Sequence, residues 1–317
     1  MRQPTVWSAP KPYHGVALAL SEFAMPEFAK TPSRNAVMPH TDPRLKWAFL
    51  SREERSAAYD NNGAVADSAI LIEERNRLSA AYRARPGARL NLNYAPGERN
   101  RWDLYPAANP QAPCLVFIHG GYWQRNSREV FAMVAEGVAA HGWAAALPSH
   151  TLAPEASLAQ IVDEIRTALD WLAGHGADYG IGGPIILSGW SAGGHLTAML
   201  LDHPAVKAGL AISGIYELAP IRDTKLNDAL KLTEEEVNAL SPLRFPVVAK
   251  PLAISYGTAE LPALVEDSRL FHAKRSAAHV PGALVPVPGA NHFTILDQLR
   301  HPDGMLVKLA RTLADDR

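Results

Sequence analysis

The sequence predicts an α/β fold: a mostly parallel central sheet with helices on both faces and a small cap. Two observations carry most of this. Short, largely apolar runs of strand length recur at Leu115–Ile118, Trp143–Leu147, Ile185–Leu187, Val206–Ile212, Leu252–Ser255 and Ala283–Val287. Stretches with helical signals separate them, and this alternation implies a parallel sheet covered on both faces. A third observation concerns one edge. Arg89–Tyr94 alternates, and Arg101–Tyr105 can pair with it across Pro96-Gly97, which adds an antiparallel strand pair.

Taken in order, residues 1–45 form a proline-rich arm (Pro4, Pro10, Pro12, Pro26, Pro32, Pro39, Pro43) with little periodicity. It is expected to be irregular and partly disordered. Residues 46–86 read as N-terminal helices that form part of the cap. Ser51-Arg52-Glu53-Glu54 is a capping-box pattern, and Ile70–Arg85 is a second helix ended by Pro86-Gly87. Residues 87–317 are the main domain. Its expected helices are Ser127–Ala140, Leu158–Ala173, His195–Leu201, Leu264–Ala278 and Thr294 onward. The rhythm breaks at about 216–246, where no strand is evident, and an insertion of this kind between core strands usually packs over a site.

The bulk composition excludes several classes. The 317 residues are 47% hydrophobic and 20% charged, enough apolar material for a large core. A net charge of −1 argues against a nucleic-acid partner, which needs a basic surface. No apolar run approaches the ~20 residues of a membrane span, and no secretory signal is evident, so a cytoplasmic protein is expected. The single cysteine, Cys114, opens an apolar run and reads as a buried structural thiol rather than half of a disulfide.

Chemistry is concentrated at three strand ends. Gly189-Trp190-Ser191-Ala192-Gly193 lies between a strand and a helix. In that context a serine sits on a tight turn, with its hydroxyl exposed at the sheet edge and a helix N-terminus behind it. His119-Gly120-Gly121-Tyr122-Trp123 follows the strand Leu115–Ile118. Its glycines let backbone N–H groups face a ligand, so Gly120 and Gly121, together with Ala192, are the expected oxyanion donors. A histidine in the loop after the last strand can take the serine proton near neutral pH, which singles out His292 in Gly289-Ala290-Asn291-His292-Phe293. His272, His279 and His195 fit less well, and His195 is expected to pack or hydrogen-bond locally. The acid that orients the imidazole should follow the preceding strand, which points to Glu260. Glu266 and Asp267 are fallbacks, expected on a helix face toward solvent. No metal-ligand spacing and no phosphate-binding glycine loop occurs, so no metal or cofactor is expected.

These segments resemble a known family. His119 to Gln124 is similar to the oxyanion segment of the kynurenine formamidases (arylformamidases), and Gly189 to Leu196 to their nucleophile segment. Ser213-Gly214-Ile215-Tyr216-Glu217-Leu218 through Asn227-Asp228 and Ser241-Pro242 resembles their cap stretch, and Gly289–Phe293 their histidine loop. The resemblance runs in order from about Ser51 to the C-terminus. It implies an α/β-hydrolase fold with Ser191, Glu260 and His292 as the triad and Gly120, Gly121 and Ala192 as oxyanion donors. Two departures stand out: Trp190 where the family commonly has His, and Glu260 where animal members have Asp.

The resulting expectation is a serine hydrolase working through an acyl-enzyme on a small aromatic amide or ester, first of all an aryl formamide such as N-formylkynurenine. Tyr122, Trp123, Trp190 and Tyr216 are candidate substrate-binding aromatics, which could equally be core. The alternatives are a carboxylesterase or amidase for another small aromatic compound and, from a different class, a non-catalytic ligand-binding protein on the same fold. The expected partner is a small-molecule substrate, with no nucleic acid and no membrane; helix Leu264–Ala278 or an edge strand could build a homodimer, which no sequence feature requires.

Overall fold

The apolar runs become the middle of one eight-stranded sheet in the computed structural model, which describes residues 47–315. The proline-rich arm expected over 1–45 lies outside the described residues. Helices α1 (Arg52–Ala57), α2 (Asn61–Ala64) and α3 (Ser68–Arg83) come first, and Ser51 closes the anticipated capping box with Glu54. Strands β1 (Arg89–Asn93) and β2 (Arg101–Tyr105) pair antiparallel, as expected. Next come β3 (Cys114–Ile118), a 3₁₀ segment Arg128–Val134 running into α4 (Ala135–Ala139), β4 (Ala144–Pro148) and α5 (Leu158–His175). Then follow β5 (Ile185–Trp190), α6 (Ala192–Met199) and β6 (Val206–Ile212). The insertion carries the short helices α7 (Ala219–Arg222), α8 (Asn227–Leu230) and α9 (Glu234–Leu240). The chain closes with β7 (Leu252–Gly257), α10 (Pro262–Ala277), β8 (Leu284–Val287), α11 (Asp297–Arg300) and α12 (Met305–Asp315).

The strand order is β1-β2-β4-β3-β5-β6-β7-β8. From β4 to β8 every pairing is parallel, while β2 joins β4 antiparallel. Alternate residues of one strand feed opposite layers, as the two-residue period of a strand requires. Val116 and Ile118 pack in one core cluster, whereas Leu115 and Phe117 pack in the other. Cys114 is fully buried, and burial pushes its thiol far up from the ordinary range, so it stays an unreactive core group.

Two helices expected from the pattern take another form. The segment Ser127–Ala140 opens as a 3₁₀ helix, where Phe131, Ala132, Met133 and Val134 are all buried in succession. Four consecutive buried residues do not fit a single amphipathic face, and packing overrides the simpler periodic reading. The C-terminal helix is interrupted between α11 and α12 at His301-Pro302-Asp303-Gly304, where proline and glycine disfavour helix continuation.

The helices before β1 bind the insertion through named contacts. Arg52 donates to Asp228 at 2.5 Å and to the Thr224 carbonyl at 3.1 Å. The Lys225 N–H donates to Ser56 Oγ at 3.0 Å, and Trp47 Nε1 donates to Asp223 at 3.2 Å. Among the described residues no helix is long and apolar enough to cross a membrane.

Candidate active site

Strands β3, β5, β6, β7 and β8 run parallel, so the loops after them all emerge at one edge of the sheet. Each loop brings one part of the site. After β5 the chain turns sharply at Ser191, whose φ of 57° and ψ of −118° lie outside the ordinary regions for a residue with a Cβ. The turn is held open from behind: the Ser191 N–H donates to the Ile212 carbonyl at 2.8 Å. The flanking glycine is a steric necessity. A Cβ on Gly193 would sit 2.0 Å from the Ile118 carbonyl oxygen. Ser191 keeps only 2% of its surface exposed, and α6 begins at the next residue.

After β7, Glu260 turns back toward the sheet. Its Oε2 lies 2.8 Å from His292 Nδ1, in the loop after β8. A carboxylate partner selects the tautomer with hydrogen on Nδ1, which leaves the Nε2 lone pair free to accept a proton. The imidazole is fixed on its other side by Trp190. That indole donates from Nε1 to the His292 carbonyl at 2.9 Å, and the two ring centroids are 4.5 Å apart. His292 is 3% exposed.

After β3, Gly120 packs directly against the serine. A Cβ there would lie 2.6 Å from both the ring and the carbonyl oxygen of Trp190 and 3.0 Å from Ser191 Cβ. The Gly120 carbonyl is pinned by Asn126 Nδ2 at 3.1 Å and approached by His119 Nδ1 at 3.0 Å. Because the peptide is planar and trans, fixing that carbonyl aims the Gly121 N–H the opposite way. Among the described residues the N–H groups of Gly120, Gly121 and Ala192 meet no acceptor. Donors arranged this way suit a developing oxyanion.

Comparisons with known proteins bear on the fold and on the class of enzyme. The family model described as BD-FAE matches residues 102–207. Kynurenine formamidase of Danio rerio is 26% identical over 83% of this chain and 96% of its own length. The Salmo salar enzyme of the same name is 28% identical over 69% of this chain and 80% of its own. Among solved structures, a protein from Silicibacter sp. TM1040 superposes with a TM-score of 0.74 at 28% identity, covering 81% of this chain and 99% of that one. Esterase 2 of Thermogutta terrifontis superposes with a TM-score of 0.58 at 26% identity, covering 73% of this chain and 93% of its own. The chain is a serine hydrolase of the α/β-hydrolase fold, similar to the kynurenine formamidases.

The aromatics expected to bind substrate in this hydrolase are largely committed to packing. Tyr216 is the clear correction. It has no exposed surface and stacks on Phe271 with ring centroids 4.4 Å apart, so its ring is a wall of the core and not an open stacking face. Trp123 is buried edge-on against His195 at 5.0 Å. Trp190 is spent on His292. Tyr122 is buried, donates its hydroxyl to the Tyr59 carbonyl at 2.6 Å and accepts from Asn61 at 3.0 Å, so it ties the loop after β3 to the segment between α1 and α2.

Of the fallback acids, Asp267 is a second correction. It faces the interior with 7% exposure and accepts the Tyr216 N–H at 2.5 Å, which anchors the start of the insertion. The expected solvent-facing position fails because the two free N–H groups at Tyr216 and Glu217 need a buried acceptor. Other histidines are set apart by burial. His195 packs on Trp123 in the core, as expected, its ring also reaches the distant Leu240 carbonyl at 2.7 Å, and burial pushes its imidazole down to about 4. His150 is pushed down to about 4 in the same way, and His119 stacks on it at 4.6 Å.

Two residues of the site carried no signal in the sequence. Asn126 holds the Gly120 carbonyl, and Ser213, after β6, donates its hydroxyl to Glu260 Oε1 at 2.6 Å. A serine beside a glycine at a strand end reads as ordinary turn chemistry, and an asparagine six residues past a glycine pair reads as loop. Among the described residues no group of three or more His, Cys, Asp or Glu side chains is arranged to hold a metal ion.

Proposed function

We propose that the chain hydrolyses an aryl formamide of the N-formylkynurenine kind, with Ser191 as nucleophile, His292 as general base and Glu260 as the acid that orients it. The observation that carries this reading is the 2.8 Å contact of Glu260 Oε2 with His292 Nδ1, at the same sheet edge as a serine in a strained turn. In the first step Ser191 Oγ bonds to the formyl carbon while its proton passes to His292 Nε2. The N–H groups of Gly120, Gly121 and Ala192 stabilise the oxyanion. The carbon–nitrogen bond then breaks as His292 gives the proton to the leaving arylamine. Water, deprotonated by His292, attacks the formyl-serine, and formate leaves.

A formyl group suits a nucleophile as enclosed as Ser191, because it demands almost no room on the acyl side. Two relatives that match 83% and 69% of this chain carry the name kynurenine formamidase. The N-terminal helices and the 216–246 insertion, bonded through Arg52, Ser56 and Trp47, act as the cap over this edge, and the small-molecule substrate enters between cap and sheet. The cytoplasm is the compartment that a single buried cysteine suits best.

A second reading, a carboxylesterase, is favoured by esterase relatives such as LipC of Mycobacterium tuberculosis, 26% identical over 63% of this chain and 57% of its own length. Hydrolysis of N-formylkynurenine beside a short p-nitrophenyl ester, in wild type and Ser191→Ala, separates the two. Serine-dependent turnover of the formamide with the higher kcat/KM is expected. Turnover of the ester alone would discard the formamidase reading and keep the serine hydrolase.

A further inference from the structure

We propose that Ser213 is a positioning residue for catalysis, holding the Glu260 carboxylate in the orientation that His292 needs. The proposal rests on the reading of Glu260 as the triad acid. Three donors reach that carboxylate. Ser213 Oγ and the Gly257 N–H both donate to Oε1, at 2.6 and 2.7 Å, and His292 takes Oε2 at 2.8 Å. The two donors on Oε1 fix the plane of the carboxylate, so Oε2 has one place left to point. A glutamate needs this more than an aspartate would, since its extra side-chain torsion must be held still.

The backbone of Ser213 is the second, independent observation. Its φ is +49°, in the left-handed region that a side chain with a Cβ seldom adopts and that glycine adopts freely. Ser213 is fully buried, and its own N–H is tied to the Ser255 carbonyl at 2.7 Å, so the surroundings force this conformation. Glycine would be the undemanding residue at such a point. A serine kept there instead is explained by what its hydroxyl reaches. Neither the strain nor the hydroxyl is needed to build the sheet, since β6 ends at Ile212.

This separates a positioning role from a structural one. Ser213→Gly removes the hydroxyl and relieves the backbone together. The variant is expected to melt at or above the wild-type temperature, while kcat on a short p-nitrophenyl ester falls about ten-fold with KM nearly unchanged. The acid limb of its kcat/KM profile, set by the base His292, should move to higher pH, because a carboxylate with one donor fewer attracts the imidazolium more strongly. Ser213→Ala, which loses only the oxygen, should show the same fall and the same shift, and it covers the case in which the glycine variant folds poorly. Glu260→Gln is measured alongside on the same ester. If Glu260→Gln collapses activity while both Ser213 variants keep the wild-type kcat and pH limb, the role of Ser213 is refuted and Glu260 stands. If Glu260→Gln stays active, the acid assignment fails, and the proposal falls with it.

Discussion

The loops after β7 and β3 both serve Ser191, but they are held by different parts of the molecule. The Glu260 loop is sewn into the sheet edge. The Thr258 N–H donates to the Val287 carbonyl at 3.0 Å, the Ala259 N–H to the Ala290 carbonyl at 3.0 Å, and Glu260 itself to the Gly257 carbonyl at 3.2 Å. The loop Gly120–Asn126 is tied to the sheet side, where the Ala153 N–H donates to the Trp123 carbonyl at 2.8 Å, and also to the N-terminal segment and the insertion. Tyr122 bonds to Tyr59 ahead of α2 and to Asn61 at its start, and Gln124 Nε2 donates to the Leu226 carbonyl in the insertion at 2.9 Å. Its backbone is also strained at Tyr122, Trp123 and Asn126, all at positive φ. The acid–base half of the proposed site is therefore held by the sheet edge alone, and the oxyanion half also by the N-terminal segment and the insertion.

That contrast can be broken by mutation. The largest effect is expected at Gly120, where an added Cβ collides with Trp190 and Ser191. Gly120→Ala should lower kcat by about 10²–10³, the scale of a lost oxyanion donor. Steady-state kinetics with a p-nitrophenyl ester measures it, and a near-wild-type kcat would mean that the loop after β3 takes no part in the chemistry. Asn126→Ala, which frees the Gly120 carbonyl, should cost roughly ten-fold in kcat with a smaller loss of stability, about 1 kcal/mol. Tyr122→Phe cuts the tie to the cover. It should lower stability by about 1–2 kcal/mol and kcat by a few-fold while leaving the acid limb of the pH profile in place. A shifted acid limb in Tyr122→Phe would show that the two halves are coupled, contrary to the contrast drawn above.

The last prediction concerns pH and stability at the root of the insertion. Burial pushes the Asp267 carboxyl up to about 8, against the lowering effect of the Tyr216 and Glu217 N–H groups, and the nearby carboxylates Glu217 and Glu266 push the same way. Below the ordinary value of 3.8 both folded and unfolded chains carry the proton. Between that value and about 8 the folded chain keeps a proton that the unfolded chain releases, so this group's contribution to stability falls as pH rises. Asp267→Asn carries no such charge. The melting temperature of Asp267→Asn relative to wild type should therefore rise from pH 5 to pH 8, and a constant difference in thermal melts would contradict the buried, proton-holding carboxyl.

Much of this architecture was legible in the sequence because buried parallel strands are continuous apolar runs, and because chain order alone ranks a serine elbow, a strand-end carboxylate and a loop histidine. The same logic placed Glu260 rather than Glu266 or Asp267 beside His292. What pattern could not convey was orientation. Tyr216 is an aromatic next to a candidate site whether it faces substrate or Phe271, and only the packing decides. Asp267 sits on a helix whose polar and apolar residues are not cleanly sorted, so its inward turn toward the Tyr216 N–H was invisible. Asn126 and Ser213 act through hydrogen bonds that depend on strained backbone, and backbone strain leaves little trace in residue type when the residue is not glycine.

Whether Ser191 is the nucleophile is tested most directly by covalent labelling. Wild type and Ser191→Ala are treated with a fluorophosphonate, and the adduct is located by peptide mass spectrometry. A single adduct on the peptide containing Ser191, appearing in step with the loss of hydrolysis and missing in Ser191→Ala, is the predicted result. Unmodified wild-type protein, or equal labelling of Ser191→Ala, would contradict it.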